Sequence, residues 1–183
     1  MSSALPEVWL RGPVPHVPPL FQPVAHGLLQ CRDEVRAAVA GLTPAQLAAR
    51  PSGAASAAYH VLHAAGSLDR LFTYARGDSL SREQLDGLAG ELHASESPAD
   101  SGDLAARFDG AVNRAVAQLR ATDPATALDA RAVGRAKLPS TVIGLLFHAA
   151  EHTQRHSAQL VTTAKFVRAS ASSATAPPAP RSR

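Results

Sequence analysis

Residues 140–168 read STVIGLLFHAAEHTQRHSAQLVTTAKFVR, and this stretch decides the fold. Its mostly apolar stripe recurs at steps of three and four residues, the spacing that lines one face of an α-helix. The stripe consists of Val142, Leu145, Leu146, Ala149, Thr153, Leu160, Ala164 and Val167. The spacing predicts one long helix from Ser140 to about Arg168, with the stripe facing a core.

Three earlier segments carry the same helical spacing, at residues 24–42, 54–75 and 101–121. A short helical turn at 43–46 follows the first segment, and a second loop, which reaches Pro139, follows the third. The polar stretch 77–100 links the second and third segments as a long crossover, with one short helical piece at 82–93. No alternation of period two competes with these helices. We therefore predict an all-α fold, a four-helix bundle with a long crossover between helices two and three.

The two ends of the chain differ from the bundle in composition. Residues 1–20 are rich in proline, which favours an extended arm lying across the surface. Residues 169–183 are mainly Ser, Ala, Pro and Arg and bury too little apolar surface to fold, so we expect a disordered tail. Because 183 residues fit one domain of ordinary size, we assign residues 21–168 to a single bundle.

Composition and charge exclude several classes of protein. The single cysteine, Cys31, rules out a disulfide framework and a multi-cysteine zinc module, and we expect a cytoplasmic protein. Cys31 lies on the apolar stripe of helix one and is interpreted as a small buried hydrophobe. No run of about 18 apolar residues exists, so we predict no membrane partner. A net charge of +3 without a basic stripe argues against nucleic acid.

The histidines carry the chemical signal. His148, His152 and His156 follow one another at four-residue steps, and His60 and His63 share helix two. Residues four apart lie on one helix face, so two imidazoles can converge on one metal ion. A helical projection turns His152 and His156 toward the apolar stripe, whereas His148 falls near the polar flank, as a surface or outer-sphere residue. A third ligand must come from elsewhere, and spacing alone leaves both His60 and His63 open.

Two segments, residues 60–70 (HVLHAAGSLDR) and 151–160 (EHTQRHSAQL), resemble the metal-bearing segments of the DinB/YfiT-like superfamily. The resemblance covers about residues 20–168. It implies a four-helix bundle with a three-histidine metal site, formed by one histidine of the second helix and an HxxxH pair of the last. On this resemblance the metal ligands are His63, His152 and His156.

The resemblance is incomplete after the last ligand. Many members have His-Arg-Gly-Gln there, whereas this chain has His156-Ser157-Ala158-Gln159. The three ligands are intact, but any substrate contact that the family makes through that arginine is in doubt.

Three neutral histidines leave open positions on a divalent ion, zinc or nickel in our expectation, and so permit catalysis. The ion could activate water for hydrolysis or a low-molecular-weight thiol for transfer to a small electrophile. The resemblance favours thiol transfer, since characterised members include thiol-dependent S-transferases and a mycothiol-dependent isomerase. The sequence shows no clear general base: Ser67 and Tyr74 are weak candidates, and Glu151 projects away from the inward face.

The alternative to an enzyme is a non-catalytic, stress-related binding module whose histidine site is structural or vestigial. Such a module would act by dimerising or by binding a partner. We expect a homodimer with either function.

Overall fold

The computed structural model describes residues 6–175, with side chains described as far as Ser170. Within that range the chain is mainly helical, as predicted, but it has six α-helices and a two-stranded sheet. The helices are α1 (Gln22–Val39), α2 (Pro44–Ala48), α3 (Ala57–Arg76), α4 (Arg82–Glu96), α5 (Ser101–Ala121) and α6 (Val142–Thr175). The strands are β1 (Ala130–Val133) and β2 (Leu138–Thr141). None of the helices in residues 6–175 combines the length and the hydropathy that a membrane crossing requires.

The four longest helices enclose one hydrophobic core. Helix α1 packs against α6 and α5, and α3 packs against the same two helices. The contacts therefore run α1–α6–α3–α5 and back to α1. Each helix contributes side chains that are less than 2 % exposed. The largest of these are Leu28 and Val35 from α1, Val61 and Leu68 from α3, Phe108 and Leu119 from α5, and Leu146 and Leu160 from α6. Burial of such side chains is the main favourable term for folding.

Local signals set the ends of α3, the helix that carries His60 and His63. Ser56 caps its N-terminus, where the Ser56 hydroxyl accepts a hydrogen bond from the Tyr59 N–H at 3.1 Å. Its C-terminus ends at Gly77, whose φ of 88° is a left-handed conformation that glycine adopts without a steric penalty. Between these ends the helix is buried on several sides.

Helix α4 is attached differently from the rest. A capping box of Ser81 and Gln84 starts it, and it packs mainly on α3. Its two buried residues are both polar, Glu91 and Ser95, whereas its leucines at 85, 88 and 92 are 40–54 % exposed. It extends to Glu96, three residues beyond the helical piece that the sequence predicts. Polar contacts from Gln84 and Glu91 to α3, which no apolar pattern reveals, hold it in place.

The hairpin of β1 and β2 was not predicted, and the expectation of a loop up to Pro139 is wrong for this part of the chain. The strands pair antiparallel, with Ala130 opposite Thr141 and Val133 opposite Leu138. Four residues per strand are too few to show a clear period-two pattern. The Arg131 side chain anchors the hairpin, since its Nε–H donates to the Ala75 carbonyl oxygen at 2.8 Å. Helix α6 starts at Val142 because the two residues before it belong to β2.

The N-terminal arm lies against the bundle from Pro6 onward. It forms two short 3₁₀ turns, Val8–Arg11 and Pro19–Phe21, and the Gln22 side-chain amide hydrogen-bonds Val14 and Val17. At the other end, α6 continues to Thr175, past the point where the predicted tail begins. The rest of that predicted tail, residues 176–183, lies outside the described residues.

Candidate metal centre

Three histidines from two helices meet at the contact between α3 and α6. His63 belongs to α3, and His152 and His156 are one turn apart on α6. One ring nitrogen of each lies within 4.8 Å of the other two. The ring centroids are 4.6 Å apart for His63 and His156, 4.7 Å for His152 and His156, and 5.3 Å for His63 and His152. The structure therefore brings together all three residues that the sequence analysis assigns to one site.

The spacing of the nitrogens fits one divalent ion. The Nε2 atoms of His63 and His152 are 3.1 Å apart. Two nitrogens that each lie about 2.1 Å from one ion are separated by about 3.0–3.4 Å at octahedral or tetrahedral angles. The observed separation falls in that window, and imidazole suits zinc, nickel and similar ions. These three histidines could therefore bind a single metal ion.

The buried carboxylate of Glu91 orients His63. The His63 Nδ1–H donates to Glu91 Oε2 at 2.7 Å, which leaves the lone pair of Nε2 to face His152. Glu91 Oε1 in turn accepts a hydrogen bond from Arg70 Nη1 at 2.6 Å. Burial by itself would raise the pKa of the Glu91 carboxyl, but the hydrogen bonds from His63 and Arg70 outweigh it and the pKa lies below its ordinary value.

His60 lies behind His156. It is buried, and a hydrogen bond of 3.1 Å joins the Nδ1 atoms of His60 and His156. That contact uses the ring nitrogen of His156 that a metal bound at its Nε2 would leave free. Of the two histidines on α3, it is His63 that the structure groups with His152 and His156.

His148 stands at the rim. Its side chain is 51 % exposed and pairs with Glu151 through Nδ1 at 3.2 Å, while its ring centroid lies 5.6 Å from that of His152. Glu151 also binds Arg155 on the helix surface. Both observations agree with the expectation that His148 is a surface residue and that Glu151 points away from the site.

The environment favours the neutral form of His156, His152 and His60. Burial is the main cause that lowers the pKa of His156 to about 4, and the neighbouring His63 and His152 add to the effect. Burial and then His63 likewise lower the pKa of His152 and of His60. Neutral imidazoles have the free lone pair that metal binding requires.

A cavity of about 280 Å³ opens onto the histidines. His63, His152 and His148 line one side of it, and Leu71, Leu88 and Tyr74 are among the residues on the other walls. The Ser67 hydroxyl, which also lines the cavity, lies 3.2 Å from His63 Nε2. Tyr59 stacks on the His63 ring, with an interplanar angle of 7°. Stacking helps to fix the His63 ring, and the cavity makes the site accessible to a small molecule.

Sequence reasoning missed Glu91 and Arg70. Glu91 lies on α4, which the sequence places in a crossover, and 28 residues separate it from His63. Only the small Gly66, one turn before Arg70 on α3, hints that another element approaches closely there.

Three imidazoles leave open coordination positions on an ion. This arrangement is typical of catalytic sites and not of closed structural sites.

Comparison with known proteins agrees with this architecture. No curated protein matches the chain. The family model described as the DinB superfamily matches residues 28–160, a range that runs from α1 through all three clustered histidines into the second half of α6. The resemblance seen in the two histidine segments is thereby confirmed, and the chain belongs to the DinB superfamily.

Proposed function

We propose that this protein binds one divalent metal ion, zinc or nickel, through His63, His152 and His156, and acts as a metal-dependent thiol S-transferase. The observation that carries the proposal is the convergence of three imidazoles beside a cavity, with two Nε2 atoms 3.1 Å apart. When bound, such an ion supplies a Lewis acid that holds a small thiol in its nucleophilic thiolate form at neutral pH.

The residues of the chain shape the space in which a thiol and an electrophile would meet. The leucines and Tyr74 of the cavity offer an apolar wall to the carbon skeleton of an electrophile. The Ser67 hydroxyl lies beside His63 Nε2 and is placed to hydrogen-bond a polar group of the substrate. Arg70 lines the same cavity but is engaged by Glu91, so it contributes fixed positive charge and not a free anion clamp.

The single cysteine thiol of the chain, Cys31, does not line the cavity. Cys31 is buried on α1, and burial raises the pKa of its thiol to about 11. We therefore propose that the nucleophile is a small thiol that enters as a substrate, and not a cysteine thiolate of the protein. In the proposed reaction the sulfur–carbon bond forms as the carbon–chlorine bond of a chlorinated acceptor breaks. Chloride leaves with the bonding pair, and the thiol proton passes to solvent.

The first experiment measures metal content and thiol consumption together. Protein purified without an affinity tag is analysed for bound metal, then incubated with a chlorinated aromatic acceptor and glutathione, mycothiol or bacillithiol in turn. We expect one metal per chain, thiol loss matched by chloride release, and loss of both activity and metal in His156→Ala. His93→Ala is the matched control because His93 is almost fully exposed on α4.

Two results would contradict the proposal. If His152→Ala and His156→Ala both retain one metal per chain, the metal site lies elsewhere. If metal is bound as expected but no thiol is consumed with any of the three, transfer chemistry is wrong and the site has another use.

The second candidate is a non-catalytic homodimeric binding module. The exposed leucines at 85 and 92 lie on one face of α4, with Leu88 beside them, and such a stripe is typical of a helix that meets a partner. A second copy of the chain seated on this stripe would cover the cavity. Sedimentation of the parent and of Leu85→Glu tests this interface. A dimer that becomes a monomer supports the interface on α4, and it supports the module only if no thiol is consumed; a parent that is already monomeric removes the dimeric module.

A further inference from the structure

Two polar side chains fasten helix α4 to α3: Gln84 near its start, whose Nε2–H donates to Asp69 Oδ2 at 2.6 Å, and Glu91 near its end. Glu91 is less than 10 % exposed, and each of its oxygens has one partner on α3, Oε2 on His63 and Oε1 on Arg70. The leucines of α4 contribute little, because they remain 40–54 % exposed. The Glu91 contact, which helps to hold this helix, is therefore also a contact to a residue of the candidate metal centre.

We propose that Glu91 is a positioning residue of the metal centre, and that through it metal binding and the docking of α4 strengthen each other. The inference rests on the proposed metal binding, which it extends to a residue and an element outside the histidine cluster. Glu91 acts through His63: it is not one of the three clustered histidines and it does not line the cavity.

The positioning step follows from the chemistry of imidazole. A neutral imidazole ring carries its proton on one nitrogen only. A carboxylate 2.7 Å from Nδ1 can accept a hydrogen bond from an N–H at that position but has no proton to donate. The proton is thereby held on Nδ1, and Nε2 keeps its lone pair on the side of His152. A carboxylate behind a ligating histidine fixes the ring and raises its basicity, and loss of such a partner typically weakens metal affinity about 10–100-fold.

The structure around Glu91 is built to keep the carboxylate in this place. Arg70 supplies a compensating charge at 2.6 Å, and the Arg70 side chain is itself steadied by Ser67 Oγ at 3.2 Å. Gly66 leaves the room that both side chains occupy, since a Cβ there would lie 2.7 Å from Arg70 Nη1 and closer still to Glu91 Oε1. A charge placed so deeply is retained only where its partners are preserved.

The coupling to α4 follows from linkage. If the contact between Glu91 and His63 strengthens metal binding by a given factor, bound metal strengthens that contact by the same factor. The amides of α4 should therefore exchange with solvent more slowly when metal is present, because opening of the helix then costs more. A purely structural Glu91 would stabilise α4 equally with and without metal.

The test compares Glu91→Gln, Glu91→Ala and the control Asp86→Asn, which removes an exposed carboxylate of the same helix. Zinc affinity is measured by competition with a chromophoric chelator, the His63 tautomer by nitrogen-15 NMR of the metal-free protein, and α4 amide exchange with and without Zn²⁺. We expect affinity to fall about tenfold in Glu91→Gln and up to about 100-fold in Glu91→Ala, and to stay within about twofold in Asp86→Asn. In the parent, His63 should carry its proton on Nδ1, and zinc should slow exchange in α4; Glu91→Ala should lose both features.

The outcomes separate this inference from the proposed function. If the parent binds no zinc, the metal site itself is wrong. If the parent binds zinc but Glu91→Gln, which is nearly isosteric and keeps the helix content, binds it equally well, Glu91 is not a positioning residue. If affinity falls but zinc leaves α4 exchange unchanged in the parent, the coupling to α4 is refuted.

Discussion

Gly66 gives the sharpest test of the packing around the metal centre. Replacement of this glycine by alanine adds one methyl group on α3, at the place where Glu91 and Arg70 meet. The added Cβ would lie 2.7 Å from Arg70 Nη1 and would overlap Glu91 Oε1. Both atoms end flexible side chains and can move, but Glu91 cannot move without loosening its hydrogen bond to His63 or to Arg70.

Two opposing effects set the magnitude. Alanine is better than glycine inside a helix by about 0.8–1.0 kcal/mol. Loss of one hydrogen bond to a charged group costs about 1.5–3 kcal/mol. We therefore expect Gly66→Ala to destabilise the protein by about 0.5–2 kcal/mol. The matched control is Gly87→Ala on α4, where a Cβ meets nothing within 4 Å, and it should stabilise the protein by up to about 1 kcal/mol.

The assay is urea denaturation of the metal-free proteins, followed by circular dichroism, with the melting temperature as a second readout. A change of 1 kcal/mol corresponds to about 2–4 °C for a chain of this size. The opposite signs of the two variants are the essential result. If Gly66→Ala stabilises the protein as much as Gly87→Ala does, the contact between Glu91, Arg70 and α3 is not the constraint we describe.

Three further predictions concern parts of the chain with different roles. His148→Ala should keep one metal per chain and lose no more than about 10–100-fold in affinity, because the His148 ring is half-exposed; metal analysis showing an empty variant would make His148 a ligand. At pH 8 a thiol with a pKa of about 11 is only about a thousandth ionised. Cys31 should therefore react with a disulfide reagent at least about 100-fold more slowly in the native than in the denatured chain. Equal rates would contradict its burial. Arg168→Ala should destabilise the protein by about 1–3 kcal/mol, because Arg168 Nη2 donates to the carbonyl oxygens of Ala38 and Ala40 at the end of α1. The free energy of unfolding in urea checks this prediction. An unchanged value would show that the contact is dispensable.

Much of the fold could be predicted because long helices repeat their signal. The α6 stripe spans many turns, and the four-residue steps of its histidines are visible without any knowledge of the neighbours. The ends were less certain: α6 begins two residues later than predicted and extends to Thr175. The hairpin was missed because its register depends on pairing between strands and on Arg131 docking to α3, neither of which a short local pattern contains.

In the candidate site, too, the residues marked by local sequence patterns were predicted, and the residue whose role depends on tertiary contacts was not. His152 and His156 were found because periodicity and the resemblance both mark them, whereas the resemblance alone selected His63 over His60. Glu91 was not found because its role depends on tertiary structure: a polar residue on a mostly exposed helix looks like any solvated carboxylate. Only the fold shows that it is buried and aimed at His63.

The placement of the site follows from how stability is distributed in the molecule. The histidines lie where α3 and α6 share the most extensive helix contact, so their backbones are held by the rigid core. The outer wall of the cavity includes α4, whose buried residues are polar and whose apolar side chains remain exposed. Elements with few buried apolar contacts open at low free energy. A metal centre on the rigid side and an entry wall on the less stable side can therefore keep the ligands in place while a substrate enters. Glu91 joins α4 directly to one of those ligands, His63.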